Sequence, residues 1–183
     1  MNINPVRERL RNKKTYLYIL IILILAFILS NSMDNPSESY SKSQKVMECV
    51  SKVLIRIFGP EHYFTRFFIG HVRKIAHFVE YMILGIAASS MMKISGKTGI
   101  QHIYNSLSFA VIIAVVDEFI QIYTYRGSSV RDVIIDFSGY FIGTVLTAFA
   151  FTVINLFRMI KKRNDSEWIS VFYWLFNVSM LSY

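Results

Sequence analysis

Long apolar runs alternate with short polar stretches along this chain. The first run goes from Tyr16 to Leu29, and three more cover about His71 to Met92, Ile100 to Tyr123 and Val133 to Phe157. A helix rises about 1.5 Å per residue, so each run with its flanking residues can cross the roughly 30 Å apolar core of a bilayer. The pattern predicts an all-α fold, a multi-pass transmembrane helical bundle with about four spanning helices.

The first apolar run has two interpretations. Basic residues precede it, and Ser30, Asn31 and Ser32 after it resemble the small-residue cleavage site of a signal peptide. Its length with flanking residues favours a retained first helix. In both interpretations we expect residues 1–14 in the cytoplasm, because basic segments next to a span stay on that side.

The chain changes character between the first and second runs. Asn31 to Tyr40 is polar and contains Pro36, which predicts a loop. From Val46 to Phe58 apolar residues repeat at helical spacing, with lysine, arginine and glutamate on the opposite side. This segment predicts an additional amphipathic helix that lies on the membrane or caps the bundle.

Composition and charge agree with a membrane protein. Hydrophobic residues make up 54% of the 183 residues and charged residues only 17%, whereas a soluble domain carries about a quarter charged residues. The net charge of +8 comes without a basic stripe interleaved with a soluble fold, so we expect no nucleic-acid partner. The single cysteine, Cys49, excludes an internal disulfide.

Three parts of the chain are expected. Residues 1–14 form a basic, cytoplasmic N-terminus, residues 15–163 a transmembrane domain, and residues 164–183 an aromatic C-terminal tail. The apolar part of the tail, Trp168 to Tyr183, would reach only about 24 Å as a helix, which is short of a full crossing. We expect an interfacial or partly inserted helix, with a fifth crossing as the alternative.

Charged residues interrupt the apolar pattern at three helix ends that this topology places together at the outer face. They occupy His71 to Glu80, Asp117 to Gln121 and Arg126 to Asp136. Charges at membrane depth cost about 2.5–3.5 kcal/mol each and therefore seldom lack a purpose. Just beyond, Gly139 and Gly143 form a G-x-x-x-G pair that lets a neighbouring helix approach closely.

These polar side chains are candidates for a ligand pocket. A guanidinium suits an anionic group because its planar fork bonds two oxygens, and neighbouring carboxylates would hold the cations in place. Each residue also has a structural interpretation: headgroup anchor for the cations, buried ion pair for the acids, helix cap for Ser129. The predicted ligand-binding residues are Lys74, His77, Tyr81, Asp117, Glu118, Gln121, Arg126, Asp132 and Asp136.

Catalysis stays open at this point. The candidate bases are His77, Glu80 and Glu118, and the sole candidate nucleophile, Ser128, lies outside any G-x-S-x-G turn. The sequence alone therefore leaves the catalytic residues unknown and does not decide whether the protein is an enzyme.

A metal site is a further possibility, built from His77, Glu80, Asp117 and Asp132. Zinc usually takes several histidine or cysteine ligands, and only one histidine is well placed here. We therefore expect no metal and no other cofactor.

Three ordered segments resemble the VanZ-like family of bacterial membrane proteins. They are RKIAHFVEYMILG at Arg73–Gly85, DEFIQ at Asp117–Gln121 and RGSSVRDVIIDFSGYFIG at Arg126–Gly143, within a resemblance over about residues 16–157. Members commonly carry a histidine before the glutamine of the second segment, where this chain has Ile120. The resemblance implies a multi-pass helical protein of the bacterial cell membrane. The family's namesake is associated with lower susceptibility to teicoplanin-type glycopeptide antibiotics, which makes this a candidate role for the chain.

Residues and resemblance together give an expected function. A polar pocket open to the outer face would bind a membrane lipid, namely a lipid-linked cell-wall precursor, or a lipoglycopeptide antibiotic. The alternative is an intramembrane enzyme acting on a lipid-linked or glycopeptide substrate. A third possibility is a structural partner of cell-wall enzymes.

Overall fold

The computed structural model describes the backbone of residues 5–96, 100–127 and 129–180, and the side chains of residues 11–96, 103–127 and 129–163. Within these ranges the chain forms five helices and no strand, so the predicted all-α fold is confirmed. The helices are α1 (Pro5–Ser32), α2 (Pro36–Phe58), α3 (Tyr63–Ile94), α4 (Ile100–Tyr123) and α5 (Val130–Met180).

Four of these helices are long and apolar enough to cross a membrane, which confirms the predicted number among the described residues. Their outward-facing side chains include large apolar groups such as Ile22, Ile112 and Phe141, all exposed. Exposed apolar surface of this extent suits contact with lipid rather than water. The candidate spans are Arg11–Ser32, Tyr63–Ile94, Ile103–Tyr123 and Val130–Arg163.

The connection between α1 and α2 is shorter than the sequence predicted. The predicted loop from Asn31 to Tyr40 is wrong, because α1 continues through Ser32 and α2 already begins at Pro36. The Asn35 side chain accepts a hydrogen bond from the Glu38 backbone N–H at 2.9 Å, and the Glu38 carboxylate accepts one from the Asn35 backbone N–H at 3.4 Å. This capping box, with proline at the first helical position, starts a helix where proline was interpreted as a breaker.

Helix α3 begins before the predicted second span. The predicted start, His71, is instead a kink inside the helix, with φ −126° and ψ 16°. Its ring nitrogen Nδ1 lies 2.9 Å from the Phe67 carbonyl oxygen, the acceptor that the backbone N–H of residue 71 uses in an unbroken helix. Upstream, His62 caps the helix by accepting a hydrogen bond from the Phe64 backbone N–H at 3.3 Å.

Glycines bring the backbones of α3 and α5 into contact. A Cβ atom on Gly139 would overlap the carbonyl oxygen of Phe78, and one on Gly143 would overlap an α3 carbonyl in the same way. From the other helix, a Cβ on Gly85 would overlap the carbonyl oxygen of Tyr140. The predicted role of the G-x-x-x-G pair is confirmed, and Gly85 is its counterpart on α3.

The chain divides into two units, residues 1–145 and residues 146–183. The core of the first unit contains fully buried Ile28, Tyr81, Leu84 and Tyr140, joined by alanines of α4. The second unit is the continuation of α5, whose described side chains up to Arg163 are mostly exposed. The backbone of the predicted tail is helical to Met180 and its last three residues lie outside the described range; its interfacial placement stays a prediction.

Candidate functional site

The polar helix ends meet at one end of the first unit. Asp117 on α4 lies 3.5 Å (Oδ2) from the Nδ1 atom of His77 on α3, and Asp136 on α5 lies 3.8 Å (Oδ1) from the same nitrogen. At the rim, the Nζ atom of Lys74 is 3.3 Å from Oδ1 of Asp132. The predicted convergence of residues some forty positions apart is thereby confirmed, and their roles in binding stay predictions.

Asp117 is the centre of this cluster and is fully buried. The Ser32 hydroxyl, at the end of α1, donates a hydrogen bond to its Oδ1 atom. The Gln121 amide, one helical turn further along α4, donates to Oδ2 at 3.4 Å. A carboxylate without access to water needs such partners, because an unpaired charge in an apolar interior costs several kcal/mol.

Asp136 has far fewer partners than Asp117. It is 1% exposed, and neither of its carboxylate oxygens accepts a hydrogen bond from the residues that the structure describes. The hydroxyl of Tyr81 and the Nδ1 atom of His77 are buried without a hydrogen bond as well. Buried polar atoms in native proteins are nearly always paired, so these exceptions ask for an explanation.

Glu118 faces the start of α5. It is buried, and its Oε2 atom accepts a hydrogen bond from the backbone N–H of Ser129 at 3.2 Å. The Ser129 hydroxyl in turn donates to the Asp132 carboxylate at 2.8 Å. Acidic groups in these positions favour a helix N-terminus, and the predicted cap by the Ser129 side chain stays a prediction. Ser128, the candidate nucleophile, lies outside the described residues.

Arg126 points inward from the link between α4 and α5. Tyr125 before it adopts a left-handed conformation (φ 57°), and the Arg126 backbone N–H bonds the Gln121 carbonyl oxygen at 2.9 Å. The guanidinium is buried and donates from Nη1 to the Asn31 carbonyl oxygen at 2.6 Å. Burial lowers the pKa of Arg126, and the nearby Arg73 acts in the same direction. Arginine nevertheless stays charged at any physiological pH.

Asn31 connects Arg126 to the candidate base Glu80. The side-chain amide of Asn31 donates a hydrogen bond to Oε1 of Glu80 at 3.2 Å. The backbone carbonyl oxygen of Asn31 accepts the hydrogen bond from Arg126. The other carboxylate oxygen of Glu80 is buried without a hydrogen bond among the described residues. The end of α1 therefore holds a carboxylate of α3 and a cation of the α4–α5 link in fixed positions.

A cavity of about 460 Å³ lies beside the cluster, among α1, α2, α3 and Arg126. Its polar wall includes Arg73, His77, Glu80 and Arg126, and its apolar wall includes Phe27, Val46, Val72 and Ala76. A second cavity of about 410 Å³, lined by residues including Lys74 and His71, shares Arg73 and Arg126 with the first. Both volumes fall within the range of about 300–1,000 Å³ that is usual for small-molecule pockets.

The predicted ligand-binding residues divide by position. His77, Arg126 and Lys74 line the two large cavities. A narrow space behind them is bordered by six predicted residues, which are Lys74, His77, Glu118, Gln121, Asp132 and Asp136. Asp117 and Tyr81 are fully buried and border none of the three spaces, and their role in binding stays a prediction.

Several site residues were missing from the sequence prediction. Asn31 and Ser32 had been interpreted as part of a loop or a cleavage site, although a polar pair ending an apolar helix is a signal for a buried polar contact. Arg73 lines both large cavities. Ser39 and Ser43 on α2 also line both, and the sequence analysis missed them because it began the amphipathic helix only at Val46.

The fold and the site together define a multi-pass helical membrane protein with a charged cluster sheltered at one end of the bundle. The family model VanZ/LLP1 matches residues 16–158. The chain belongs to this family, which confirms the resemblance stated from its motifs. No curated protein and no solved structure matches the chain.

Proposed function

We propose that this protein resides in the bacterial cell membrane with its N-terminus in the cytoplasm and binds an anionic, lipid-linked molecule in a pocket open to the outer face. The ligand is an envelope lipid intermediate or a lipoglycopeptide, and its capture lowers susceptibility to teicoplanin-type antibiotics. The 460 Å³ cavity is the observation that carries this proposal, because cations and apolar side chains share its wall.

The chemistry of the cavity suits an amphiphile with an anionic head. Arg73 and Arg126 bring two positive charges to its polar wall. Of these two arginines, only Arg126 forms a hydrogen bond with another described residue, and the acceptor is a neutral carbonyl oxygen. The Nε atom of Arg126 is buried and has no partner among the described residues, so the guanidinium is not fully hydrogen-bonded. Phosphate and carboxylate oxygens fit such donors, and Phe27 and Val72 would contact the adjoining hydrocarbon.

The cluster behind the cavity supports this assignment by fixing the cations and the imidazole. Asp132 pairs with Lys74, and Glu118 holds the start of α5 beside Arg126. A pocket whose polar groups are held before the ligand arrives loses less conformational freedom on binding. The proposal therefore assigns Asp117, Glu118, Gln121 and Asp132 a positioning role, and it assigns Arg73 and Arg126 the contact with the ligand.

An intramembrane enzyme is the second candidate, and one observation favours it. His77 lines the cavity and lies 3.5 Å from the buried Asp117, an arrangement in which a carboxylate orients an imidazole base. Glu80, on the next helical turn, lines the same cavity. The substrate would then be the lipid-linked or glycopeptide molecule itself.

Binding to protein reconstituted in nanodiscs tests the first candidate. The probes are a polyprenyl phosphate and teicoplanin, measured separately, with the molecule recovered afterwards by mass spectrometry. Arg73→Gln should weaken binding at least about tenfold, since a lost charged hydrogen bond is worth about 1.5–3 kcal/mol. The matched control is Arg66→Gln, an exposed cation at the start of α3 that pairs with Glu61.

The outcomes separate the two candidates. Saturable binding with the probe recovered unchanged supports the binder, and a product that disappears with His77→Gln supports the enzyme. Absence of saturable binding to both probes, or equal losses in Arg73→Gln and Arg66→Gln, would contradict the proposed pocket.

A further inference from the structure

The three residues that meet at His77 form a set of potential metal ligands. One ligand atom each from His77, Asp117 and Asp136 lies within 4.8 Å of the other two. The distances from His77 Nδ1, 3.5 Å to Asp117 Oδ2 and 3.8 Å to Asp136 Oδ1, are close to those between ligands of a bound ion. Ligands about 2.1 Å from a tetrahedral zinc ion lie about 3.4 Å from one another.

The state of Asp136 gives independent support. Its side chain is 1% exposed, and both carboxylate oxygens lack a hydrogen bond among the described residues. Its Oδ1 atom lies 3.8 Å from the His77 Nδ1 atom, which is too far for a hydrogen bond. That nitrogen also has no hydrogen bond among the described residues. A buried carboxylate aimed at a nitrogen it does not bond is the geometry expected where an ion belongs between them.

The charges around the cluster leave a place for a divalent cation. Asp117 and Asp136 bring two negative charges into the interior. Lys74 pairs with Asp132, and neither Arg73 nor Arg126 forms an ion pair with Asp117 or Asp136 among the described residues. The histidine alone supplies at most one positive charge. A divalent ion would neutralise both carboxylates with the imidazole in its neutral form.

The surroundings already hold one of these ligands in place. Ser32 donates a hydrogen bond to Oδ1 of Asp117, which leaves Oδ2 directed at His77. Gln121 donates to the same carboxylate from the next turn of α4. Partners behind a ligand that fix its orientation accompany most metal sites in proteins.

We propose that His77 Nδ1, Asp117 Oδ2 and Asp136 Oδ1 bind a divalent transition-metal ion of the zinc or manganese type. The imidazole ligand disfavours magnesium and calcium, which prefer oxygen alone. His77 also lines the 460 Å³ cavity, so the proposed metal site adjoins the space where a ligand would enter. This set differs from the one weighed on the sequence, because Asp136 takes the place of Glu80 and Asp132.

The metal-site proposal does not depend on which molecule the cavity binds. It rests on the distances among three side chains, whereas the proposed function rests on the cations of the cavity wall. Failure of lipid or antibiotic binding would leave the metal proposal intact, and failure of metal binding would leave the binding pocket intact.

Metal content of the purified, full-length protein tests the proposal. The protein is prepared in detergent without a polyhistidine tag, stripped with a chelator, exposed to Zn²⁺ or Mn²⁺, desalted and analysed by elemental mass spectrometry. The expected stoichiometry is roughly one ion per chain for the wild type. It should fall at least tenfold in His77→Gln and Asp136→Asn.

Glu61→Gln is the matched control, because it makes the same carboxylate-to-amide change at an exposed residue just before α3, outside the cluster. It should retain the wild-type stoichiometry. Circular dichroism and gel filtration identify variants that fail to fold, and the wild-type measurement alone is decisive if they do. Absence of a stoichiometric ion in wild type with both metals, or full retention in folded His77→Gln and Asp136→Asn, would overturn the proposal.

Discussion

Two parts of the first unit differ in how their buried polar groups are paired. The glycine-packed half is where α3 and α5 meet at Gly85 and Gly143, and the charged half surrounds His77, Asp117 and Asp136. In the glycine-packed half, the Tyr140 hydroxyl pairs with Ser106 at 2.7 Å and Ser89 donates to Thr144 at 3.0 Å. In the charged half, buried polar atoms of five residues have no hydrogen bond among the described part of the chain. They are His77, Glu80, Tyr81, Arg126 and Asp136.

This difference separates a scaffold from a site. Close backbone packing and paired side-chain hydroxyl groups stabilise the glycine-packed half, and helices in lipid depend on both because apolar burial contributes little between them. Incomplete hydrogen bonding in the other half costs stability, and proteins keep such groups where a ligand or an ion satisfies them.

The largest effect concerns function in the charged half. Asp117→Asn and Arg126→Ala should each remove any protection against a lipoglycopeptide, because the first disrupts the positions of His77 and Ser32 and the second removes a cation of the cavity. Drug susceptibility and membrane abundance are measured in the same strains. Full protection at normal abundance in both variants would leave the charged half without the proposed role.

The next effect concerns the glycine-packed half. Gly139→Ala forces a Cβ against the Phe78 carbonyl, so the helices must separate, and we expect a loss of about 1–3 kcal/mol in stability. Gly70→Ala is the control, since a Cβ there meets nothing within 4 Å and alanine favours a helix. Thermal unfolding in detergent compares the two. Similar melting temperatures would mean that α3 and α5 are not in backbone contact.

A smaller effect has opposite signs in the two halves. Asp136→Asn removes a buried charge that has no hydrogen bond, so the metal-free protein should gain about 1 kcal/mol. Ser106→Ala leaves the Tyr140 hydroxyl without its partner and should lose about 1 kcal/mol. Unfolding in chelator measures both. Destabilisation by Asp136→Asn of the same size as by Ser106→Ala would remove the contrast between the halves.

The smallest effect is expected at the rim. Lys74 and Asp132 form a partly exposed ion pair, with side chains 43% and 17% exposed. Breaking it with Lys74→Met should change stability by less than about 1 kcal/mol, since solvent screens such pairs. A larger loss in the same unfolding assay would show that the pair belongs to the buried cluster.

Much of this architecture is predictable because spacing and length are local properties. Apolar runs gave four spans, and the separation of Gly139 from Gly143 indicated a close helix contact. Opposite helix directions also put Asp117 and His77 at one end. These inferences need only the helical period and the width of a bilayer.

The other contacts of the site depend on which helix faces meet, and a single sequence does not determine those faces. Glu80 lies one turn from His77 on the same helix, yet it is Asp117 and Asp136 of other helices that form ion pairs with His77 among the described residues. Ser32 reaches Asp117 because α1 continues past the point where a proline suggested a loop. Rotation of each helix about its axis is set by packing partners, such as Gly85 against Tyr140, rather than by its own pattern.

Cysteine cross-linking in native membranes tests most directly whether the polar helix ends are neighbours. In a background with Cys49→Ser, cysteines replacing Ser32 and Asp117 should join under mild oxidation, since these side chains are in hydrogen-bond contact. The control pair uses Ser32 and Ser106. Ser106 lies about 16 Å from Asp117 along α4, towards the start of that helix, so this pair should not join. Mass spectrometry of the linked peptides reads out both. Linkage of the control pair, or of neither pair, would contradict the sheltered cluster on which the site depends.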